Sequence, residues 1–295
     1  MANSEQAARE VFLRRYDEVM QSWPDAGGTP RHLDLTSEFG TTRVWAAGAD
    51  PADESVPALV LLPAYQATSA EWIPLALALG ATRRVFAVDI PGDAGRSVAG
   101  SRALDDITAL VHWLDSVLDG LGLANTEIGG HSYGAWIALR YAVDSPDRVG
   151  RLILVDPTMV FLPLFPTYIL RAAPAMSRPS PQRRLGVIHW ENKRSGHELD
   201  ESWLQLAELA GGAFPSVPSA RTPIPKATML QRLTMPVEVV VPGRSRVHVA
   251  RTLARRARTR LPRGTVHTVK DAGHYNVPWV GAAEIAGAIT DSATG

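Results

Sequence analysis

The stretch TEIGGHSYGAW, residues 126–136, contains a serine between glycines in the pentapeptide GHSYG, residues 130–134. The apolar run TEIGG predicts a strand, and the run YGAWIALRYA that follows predicts a helix. Such a junction needs so tight a turn that larger residues at Gly130 and Gly134 would collide with the backbone. The pattern therefore predicts that the Ser132 hydroxyl is held out at the carboxyl edge of a sheet. A buried Gly-Ser turn without chemistry is the alternative, because the pentapeptide alone also arises by chance.

Short apolar segments alternate with longer helical patterns along the chain, which is typical of a mostly parallel sheet with helices on both faces. About eight strands are predicted, from the segments HLDLTS, TRVWAAG, ALVLLPA, RVFAVDI, TEIGG, RLILVDP, VEVVV and TVHTV. The first two segments predict a hairpin ahead of the parallel part of the sheet. The predicted fold class is therefore α/β.

The alternation is interrupted between residues 157 and 236, where no clear strand pattern occurs and half of the chain's 22 prolines lie. Apolar patches such as MVFLPLFPTYIL alternate there with polar stretches such as HWENKRSGHELDESW. A disordered linker is the alternative, but the tryptophans and leucines of this segment are too apolar for one. We therefore expect a helical cap at 157–236, inserted into a core formed by 1–156 and 237–295.

The composition is that of a globular protein of 295 residues, 45% of them hydrophobic, in which 30 basic and 30 acidic side chains cancel. A neutral chain gives no reason to expect nucleic acid or an anionic membrane as a partner. The absence of cysteine excludes disulfides, thiolate metal sites and cysteine nucleophiles. No Gly-rich phosphate loop, dinucleotide fingerprint or cluster of metal ligands occurs in the sequence, so no cofactor and no metal are predicted.

The N-terminal segment MANSEQAAREVFLRRYDEVMQSW carries charges throughout and lacks the apolar core of a signal peptide. No apolar run of the sequence approaches the roughly 20 residues that a membrane span requires. We therefore expect a cytoplasmic location.

Three further motifs accompany the serine turn: SEFGTTRVW at 37–45, VDIPGDAGRS at 88–97 and DAGHYN at 271–276. Together these motifs resemble the α/β-hydrolase family, and in particular its small carboxylesterase-like members with an N-terminal helix and a helical cap. The resemblance covers nearly the whole chain, and the serine turn and the late Ala-Gly-His are its most specific parts. It implies the α/β-hydrolase fold, a nucleophile elbow at Ser132 and a catalytic triad.

The resemblance assigns the general base to His274, which follows the last predicted strand in a Gly-His turn. A serine hydroxyl is a poor nucleophile at neutral pH until a base accepts its proton, which is why the family pairs the two residues. The backbone N–H of Tyr133, at the start of a helix, is placed to stabilise an oxyanion. A turn histidine that caps the last helix is the alternative role for His274.

The loop after the third predicted strand departs from the family pattern. A His-Gly pair is usual there, whereas this chain has PAYQ at 63–66. The oxyanion donor of such loops is a backbone N–H, so Tyr65 can supply the second donor of the oxyanion hole. Pro63 has no N–H to donate. The Gln66 side chain is expected to face the pocket and to influence substrate choice.

The acid of the triad is the second departure. In the family a carboxylate usually follows the seventh strand, but no aspartate or glutamate occurs at 239–270, and Arg244 and Arg246 occupy the expected place. Some relatives place the acid after the sixth strand, where RLILVDP offers Asp156. This choice keeps the family order of nucleophile, acid and base along the chain. The alternatives are that Asp156 only caps the strand end and that the site is a Ser-His dyad.

The predicted pocket combines the loop after the third strand with the beginning of the cap and the loop after the seventh strand. Its candidate lining residues are Gln66, Trp72, Phe161, Phe165, Arg244 and Arg246. The dense row of large apolar side chains in MVFLPLFPTYIL predicts a hydrophobic small-molecule substrate.

Eight arginines and Lys270 lie within residues 239–270 without one acid, and they form a locally basic face on a neutral protein. A solvated helix is the first interpretation and an anionic partner is the second. Nucleic acid is disfavoured because no aromatic residue is interleaved with the arginines. An acyl-carrier protein or an anionic substrate group fits this face better.

Taken together, the motifs predict a serine hydrolase that cleaves a carboxylic ester or thioester through an acyl-enzyme at Ser132, with His274 as base and Asp156 as the orienting acid. The same scaffold also serves lactone formation and acyl transfer, and some relatives bind ligands without turnover. The missing seventh-strand acid and the altered His-Gly loop favour a catalytically silent binding protein. The serine and the late histidine favour an enzyme.

Overall fold

The computed structural model describes residues 2–23, 30–48, 56–178, 180–214 and 220–291. Within these ranges nine strands form one sheet. They are β1 (Arg31–Ser37), β2 (Gly40–Ala47), β3 (Leu59–Leu62), β4 (Val85–Val88), β5 (Val98–Ala99), β6 (Thr126–His131), β7 (Val149–Val155), β8 (Val237–Pro242) and β9 (Gly264–Val269).

The strand order is β1-β2-β4-β3-β6-β7-β8-β9, and β5 pairs with β2 beside this path. The pairs β1–β2 and β2–β4 are antiparallel, and every pair from β4 to β9 along the order is parallel. The α/β fold class and the eight predicted strands are thereby confirmed. The sequence does not predict β5, because two residues are too few to show an apolar pattern.

The helices lie between and beside the strands. They are α1 (Ala2–Met20), α2 (Ile73–Leu79), α3 (Ile107–Gly120), α4 (Tyr133–Asp144), α5 (Pro166–Ser177), α6 (Pro181–Asn192), α7 (Glu201–Ala213), α8 (Ala227–Leu230), α9 (Ala250–Arg260), α10 (Val277–Val280) and α11 (Ala282–Asp291), with short 3-10 helices at Ser69–Trp72 and Pro146–Arg148. Within the described ranges, no helix combines the length and the apolar character that crossing a lipid bilayer demands.

Both faces of the sheet are covered by helices. Successive residues of a strand point to opposite faces, so Val60 and Leu62 of β3 join a core with α3, α4 and α9. Leu59 and Leu61 join a second core with α1, α2 and α11. All four side chains are fully buried, which explains why β3 is a continuous apolar run in the sequence.

The helices α5 to α8 come from the segment 157–236, between β7 and β8. Within this segment α6 packs on α7, and α7 packs along α1, which is distant in sequence. Phe12 of α1 and Phe214 after α7 meet edge to face, with ring centroids 5.1 Å apart. The inserted helices are therefore held by the N-terminal helix as well as by their own connections to the sheet.

Candidate active site

The serine of the pentapeptide lies at the turn between β6 and α4. Ser132 has a φ of 53°, which is a strained conformation for a residue with a side chain. A Cβ on Gly130 would lie 2.3 Å from the backbone carbon of Gly134, and a Cβ on Gly134 would lie 2.3 Å from the carbonyl oxygen of Leu62. Backbone therefore packs against backbone at both glycines, and this packing fixes Ser132 at the carboxyl end of β6.

The turn after β9 brings His274 to Asp156, the residue that directly follows β7. His274 Nδ1 and Asp156 Oδ2 lie 2.7 Å apart, and both side chains are buried. Burial opposes charge on either group, but their mutual hydrogen bond and charge attraction outweigh it. They raise the pKa of His274 above its ordinary value and lower the pKa of Asp156 below its own. The carboxylate is thus placed to stabilise an imidazolium.

Asp156 is itself held from the loop that follows β8. Its φ of 36° is strained, and its Oδ2 also accepts a hydrogen bond from Ser245 Oγ at 3.0 Å. Ser245 lies between Arg244 and Arg246, where the resemblance to the α/β-hydrolase family predicts the acid. This loop therefore contributes a hydroxyl that binds the carboxylate of Asp156.

The hydroxyl of Ser132 is hydrogen-bonded to Thr158 Oγ1, at 3.4 Å, rather than to His274. Such a long contact between two hydroxyls is weak, so it opposes a rotation of the serine toward the base only slightly. Nucleophile and base in hydrolases commonly tighten their contact only when substrate is bound. Thr158 is thus the partner of the Ser132 hydroxyl in this structure.

Two buried carboxylates hold the loop after β3. Glu71 accepts a hydrogen bond from the N–H of Ala64 at 2.9 Å, and Asp93 accepts one from the N–H of Gln66 at 3.0 Å. Burial raises the pKa of Asp93 to about 7. Both amides that flank Tyr65 are therefore bound by carboxylates, which fixes the backbone of Tyr65 next to the elbow.

His131 connects this loop to His274. It precedes Ser132, is buried, and its Nδ1 lies 3.2 Å from Glu71 Oε2. Its ring packs on the ring of His274, with centroids 4.8 Å apart. The carboxylate of Glu71 therefore touches both the loop after β3 and a side chain in contact with His274.

A third buried carboxylate comes from the inserted helices. Glu191 of α6 is fully buried, and its Oε1 accepts hydrogen bonds from the N–H of His274 at 2.9 Å and the N–H of Arg246 at 3.1 Å. Burial raises the pKa of Glu191. A Cβ on Gly273 would lie 2.9 Å from Glu191 Oε2, so a larger residue there would displace the Glu191 carboxylate. Helix α6 thus holds the loop that carries His274 through the hydrogen bond that Glu191 accepts.

Strained backbone is concentrated at this site. In the described ranges, the non-glycine residues with a positive φ are Gln66, Ser132, Asp156 and Met159. Such conformations cost roughly 1–3 kcal/mol each and persist where the surroundings enforce them. Their clustering around one serine is typical of a functional site.

A cavity of about 690 Å³ lies over Ser132 and His274. Its walls come from the loop after β3, the elbow, α5 and α6. The polar lining includes Tyr65, Gln66, Thr158, Tyr168, Arg184 and Tyr275, and the apolar lining includes Met159, Leu164, Ala172, Met176, Val187 and Val247. The cavity is large enough for a small organic molecule.

A sequence profile of the Alpha/beta hydrolase family matches residues 59–288. The chain belongs to the α/β-hydrolase family. This match confirms the resemblance that the serine turn and the late Gly-His indicate.

Two curated relatives of this α/β-hydrolase come from Bacillus subtilis strain 168. The chain is 30% identical to the carboxylesterase YbfK over 162 residues, which are 55% of this chain and 52% of that protein. It is also 30% identical to the uncharacterized carboxylesterase nap over 156 residues, which are 52% of this chain and 48% of that protein. The aligned part therefore spans about half the length of the curated relatives.

Solved structures share the fold over nearly the full chain. The crystal structure of the carboxylesterase CesB (YbfK) from Bacillus subtilis superposes with a TM-score of 0.82 at 23% identity, covering 97% of this chain and 99% of that one. The naproxen esterase of the same species superposes with a TM-score of 0.73 at 22% identity, covering 96% and 94% of the two chains. These likenesses establish a common α/β-hydrolase architecture.

The pocket lining predicted from the sequence needs correction. Gln66 does line the cavity. Trp72 and Phe161 are instead fully buried within the two cores, because their backbone segments turn these side chains toward the sheet and its helices. Phe165 is the residue just before α5 and is 42% exposed.

The two arginines predicted for the pocket also lie outside its wall. Arg244 pairs with Asp271 at 3.2 Å, and both side chains are about half exposed. The guanidinium of Arg246 lies 4.5 Å from the ring centroid of Trp190. Ser245 between them turns inward to Asp156, and neither arginine lines the cavity. The anionic partner predicted for the arginine-rich face of 239–270 stays a prediction.

Several residues of the site were missed by the sequence reasoning, namely Glu71, Thr158, Arg184, Glu191 and Ser245. A usable signal existed for two of them, because Thr158 and Ser245 follow closely after the carboxyl ends of β7 and β8. Those ends meet at one edge of a parallel sheet, where sites of α/β proteins form.

Proposed function

We propose that this protein is a serine esterase that hydrolyses carboxylic esters of small molecules through an acyl-enzyme at Ser132. The observation that carries the proposal is the buried Asp156–His274 pair, with its 2.7 Å hydrogen bond, whose histidine lines the same cavity as the strained Ser132. Burying a charged pair is costly, so its presence beside the serine favours an enzyme over a silent binding protein.

Acylation begins when Ser132 Oγ leaves Thr158, passes its proton to His274 Nε2 and attacks the acyl carbon. Asp156 keeps the proton on His274 Nδ1 and stabilises the imidazolium that forms. The backbone N–H groups of Tyr65 and Tyr133 stabilise the negative charge on the former carbonyl oxygen, and each such donor is worth roughly a hundredfold or more in kcat. The imidazolium then protonates the departing alcohol.

Deacylation repeats these steps with water. His274 removes a proton from the water molecule that attacks the acyl carbon, and it returns the proton to Ser132 as the acid leaves. The same two N–H groups stabilise the second tetrahedral intermediate. Two relatives named as carboxylesterases support an ester as the bond that is cleaved.

The proposal is tested with an activated ester and an active-site-directed fluorophosphonate. The wild type is expected to release p-nitrophenol from p-nitrophenyl butyrate with turnover. The fluorophosphonate is expected to stop this turnover and to add one phosphonyl group, which peptide mass spectrometry should place on Ser132. A folded protein with no turnover, no burst and no label on Ser132 would favour a binding protein instead.

The pH dependence of kcat gives a second test. His274 accepts a proton only when it is neutral, and the charges of Asp156, Glu191 and Glu71 raise its pKa. Activity should therefore fall as the pH drops through a midpoint above about 6.5, the ordinary pKa of histidine. The measurement is kcat for a saturating ester between about pH 5 and 9. A midpoint clearly below the ordinary value would contradict the charged pair.

A further inference from the structure

The wall of the cavity contains a guanidinium that the proposed mechanism does not use. Arg184 of α6 lines the same cavity as Ser132 and His274, and it is half-buried. Burial lowers the pKa of Arg184, but a guanidinium remains protonated at neutral pH. A positive charge is therefore present at the wall of the proposed substrate site.

The hydrogen-bond partners of Arg184 are neutral. One terminal nitrogen donates to the side-chain oxygen of Gln66 at 2.7 Å, and the other donates to the Gln66 backbone carbonyl. Among the described residues, no carboxylate oxygen lies within 4.0 Å of a guanidinium nitrogen of Arg184, so Arg184 forms no ion pair there. Two of the five N–H groups of the guanidinium are thus used, and three remain for another acceptor.

Asp93 is an acidic side chain whose charge acts to raise the pKa of Arg184. Its two oxygens accept hydrogen bonds from the N–H groups of Gln66 and Ala94. Burial raises the pKa of Asp93 to about 7, so this carboxyl is only partly ionised at neutral pH. Asp93 therefore does not neutralise Arg184 as a direct partner would.

Buried arginines elsewhere in the protein are treated differently. Arg83 and Arg151 are both buried, and both contact the buried carboxylate of Glu127. An enclosed charge without a partner is costly, and pairing of this kind removes most of the cost. Arg184 is less deeply buried, but it lacks such a partner among the described residues, so its place for an acceptor is open to a ligand of the cavity.

Two further groups of the cavity wall could donate hydrogen bonds to an anion bound by Arg184. The hydroxyls of Tyr168 and Tyr275 lie 2.8 Å apart, and both residues line the cavity. Burial raises the pKa of Tyr275, and the nearby charge of Arg184 partly offsets the rise. Because one hydroxyl donates to the other, the pair retains one O–H for a further acceptor.

We propose that Arg184, together with the Tyr168–Tyr275 hydroxyl pair, binds a carboxylate of the substrate. The preferred substrates are then esters that carry an acidic group on an apolar body, because the remaining wall includes Met159 and Leu164. A guanidinium offers paired N–H groups that match the two oxygens of a carboxylate. This inference rests on the proposed esterase function and assigns its substrate class.

The test compares anionic and neutral members of two ester pairs. On the acyl side, mono-p-nitrophenyl glutarate is compared with p-nitrophenyl hexanoate. On the alcohol side, the butyryl ester of p-hydroxybenzoate is compared with that of methyl p-hydroxybenzoate. Each kcat/KM is divided by the rate constant of the same ester with hydroxide, which removes differences in intrinsic reactivity. The wild type should prefer the anionic member of at least one pair by about tenfold or more.

Variants of Arg184 test whether the preference for anionic esters depends on its guanidinium. Arg184→Met removes the charge and should lower the anionic-to-neutral ratio by about tenfold or more, whereas Arg184→Lys keeps the charge and should retain part of the ratio. The matched control is Arg183→Met, because Arg183 is exposed on the same helix and donates to the carbonyl of Arg178. This control should leave both members of each pair unchanged.

Three results would overturn the carboxylate site. The first is a wild type that hydrolyses both neutral esters at least as well as their anionic partners. The second is an Arg184→Met protein in which both members of a pair fall by the same factor, because Arg184 would then only hold Gln66. If Arg184→Met does not fold, Arg184→Gln, which also removes the charge, takes its place, and an Arg184→Gln protein with the full wild-type ratio is the third. A wild type that hydrolyses none of the four esters contradicts the esterase function, and the substrate class falls with it.

Discussion

Ser132→Ala is expected to lower kcat on p-nitrophenyl butyrate by about six orders of magnitude, the loss that removal of the serine nucleophile causes in subtilisin. Alanine cannot form an acyl-enzyme, so the oxyanion donors and substrate binding alone accelerate the residual reaction. KM should change little, since the hydroxyl contributes chiefly to the transition state. The measurement is steady-state turnover, with contaminating wild type quantified by fluorophosphonate titration.

The matched control is Ser145→Ala at the opposite end of α4. Ser145 follows the last turn of this helix, as Ser132 precedes its first turn. Its loss should leave kcat within about twofold of wild type, because substitutions away from a site have small effects. A folded Ser132→Ala protein with kcat near wild type, once contamination is excluded, would show that the ester is cleaved elsewhere.

Asp156→Asn is expected to lower kcat by at least about a hundredfold and by as much as about four orders of magnitude, as the corresponding exchange does in serine proteases. The amide fits the same space but no longer favours the proton on His274 Nδ1, so the base is left in the wrong tautomer. The imidazolium also loses the carboxylate that lies 2.7 Å from its ring nitrogen. KM should stay nearly constant, because this interaction strengthens in the transition state. Steady-state kinetics, with circular dichroism as a check of folding, measures the effect.

Asp271→Asn is the control for the acid. Asp271 lies three residues before His274, but its carboxylate is half exposed and pairs with Arg244. Its exchange should change kcat by no more than about twofold, because exposed ion pairs contribute little. If Asp156→Asn kept wild-type kcat while Asp271→Asn lost it, the acid would have to be reassigned.

The elbow could be predicted from the sequence because the contacts that determine it are local. Gly130 and Gly134 are needed where β6 meets α4, and both positions lie within two residues of Ser132. The placement of Asp156 near His274 follows from topology, because the carboxyl ends of parallel strands meet at one edge of the sheet. Their catalytic roles stay predictions until the variants above are measured.

The cavity wall could not be predicted in the same way. The directions of the Trp72 and Phe161 side chains depend on how a short 3-10 helix and a loop pack on the sheet. Hydrophobicity alone does not distinguish a core position from a pocket position.

Helix α6 shows a different difficulty. Arg184, Val187, Ile188 and Glu191 have the spacing of one helix face. Two of these four residues are charged, so this inward face does not appear as an apolar stripe in the sequence. Arg184 and Glu191 could therefore be assigned only once the packing of the helix was known.

The hydrogen bond between Glu191 and the N–H of His274 has a consequence for how the protein matures. Along the chain Ser132 precedes the inserted helices and His274 follows them, so the serine leaves the ribosome before α6 and the histidine after it. A chain whose sheet has formed, but whose helix α6 has not yet docked, lacks the acceptor that holds the histidine loop. Under the proposed mechanism, such a copy presents Ser132 beside a His274 that Asp156 still binds but whose backbone N–H has lost its acceptor.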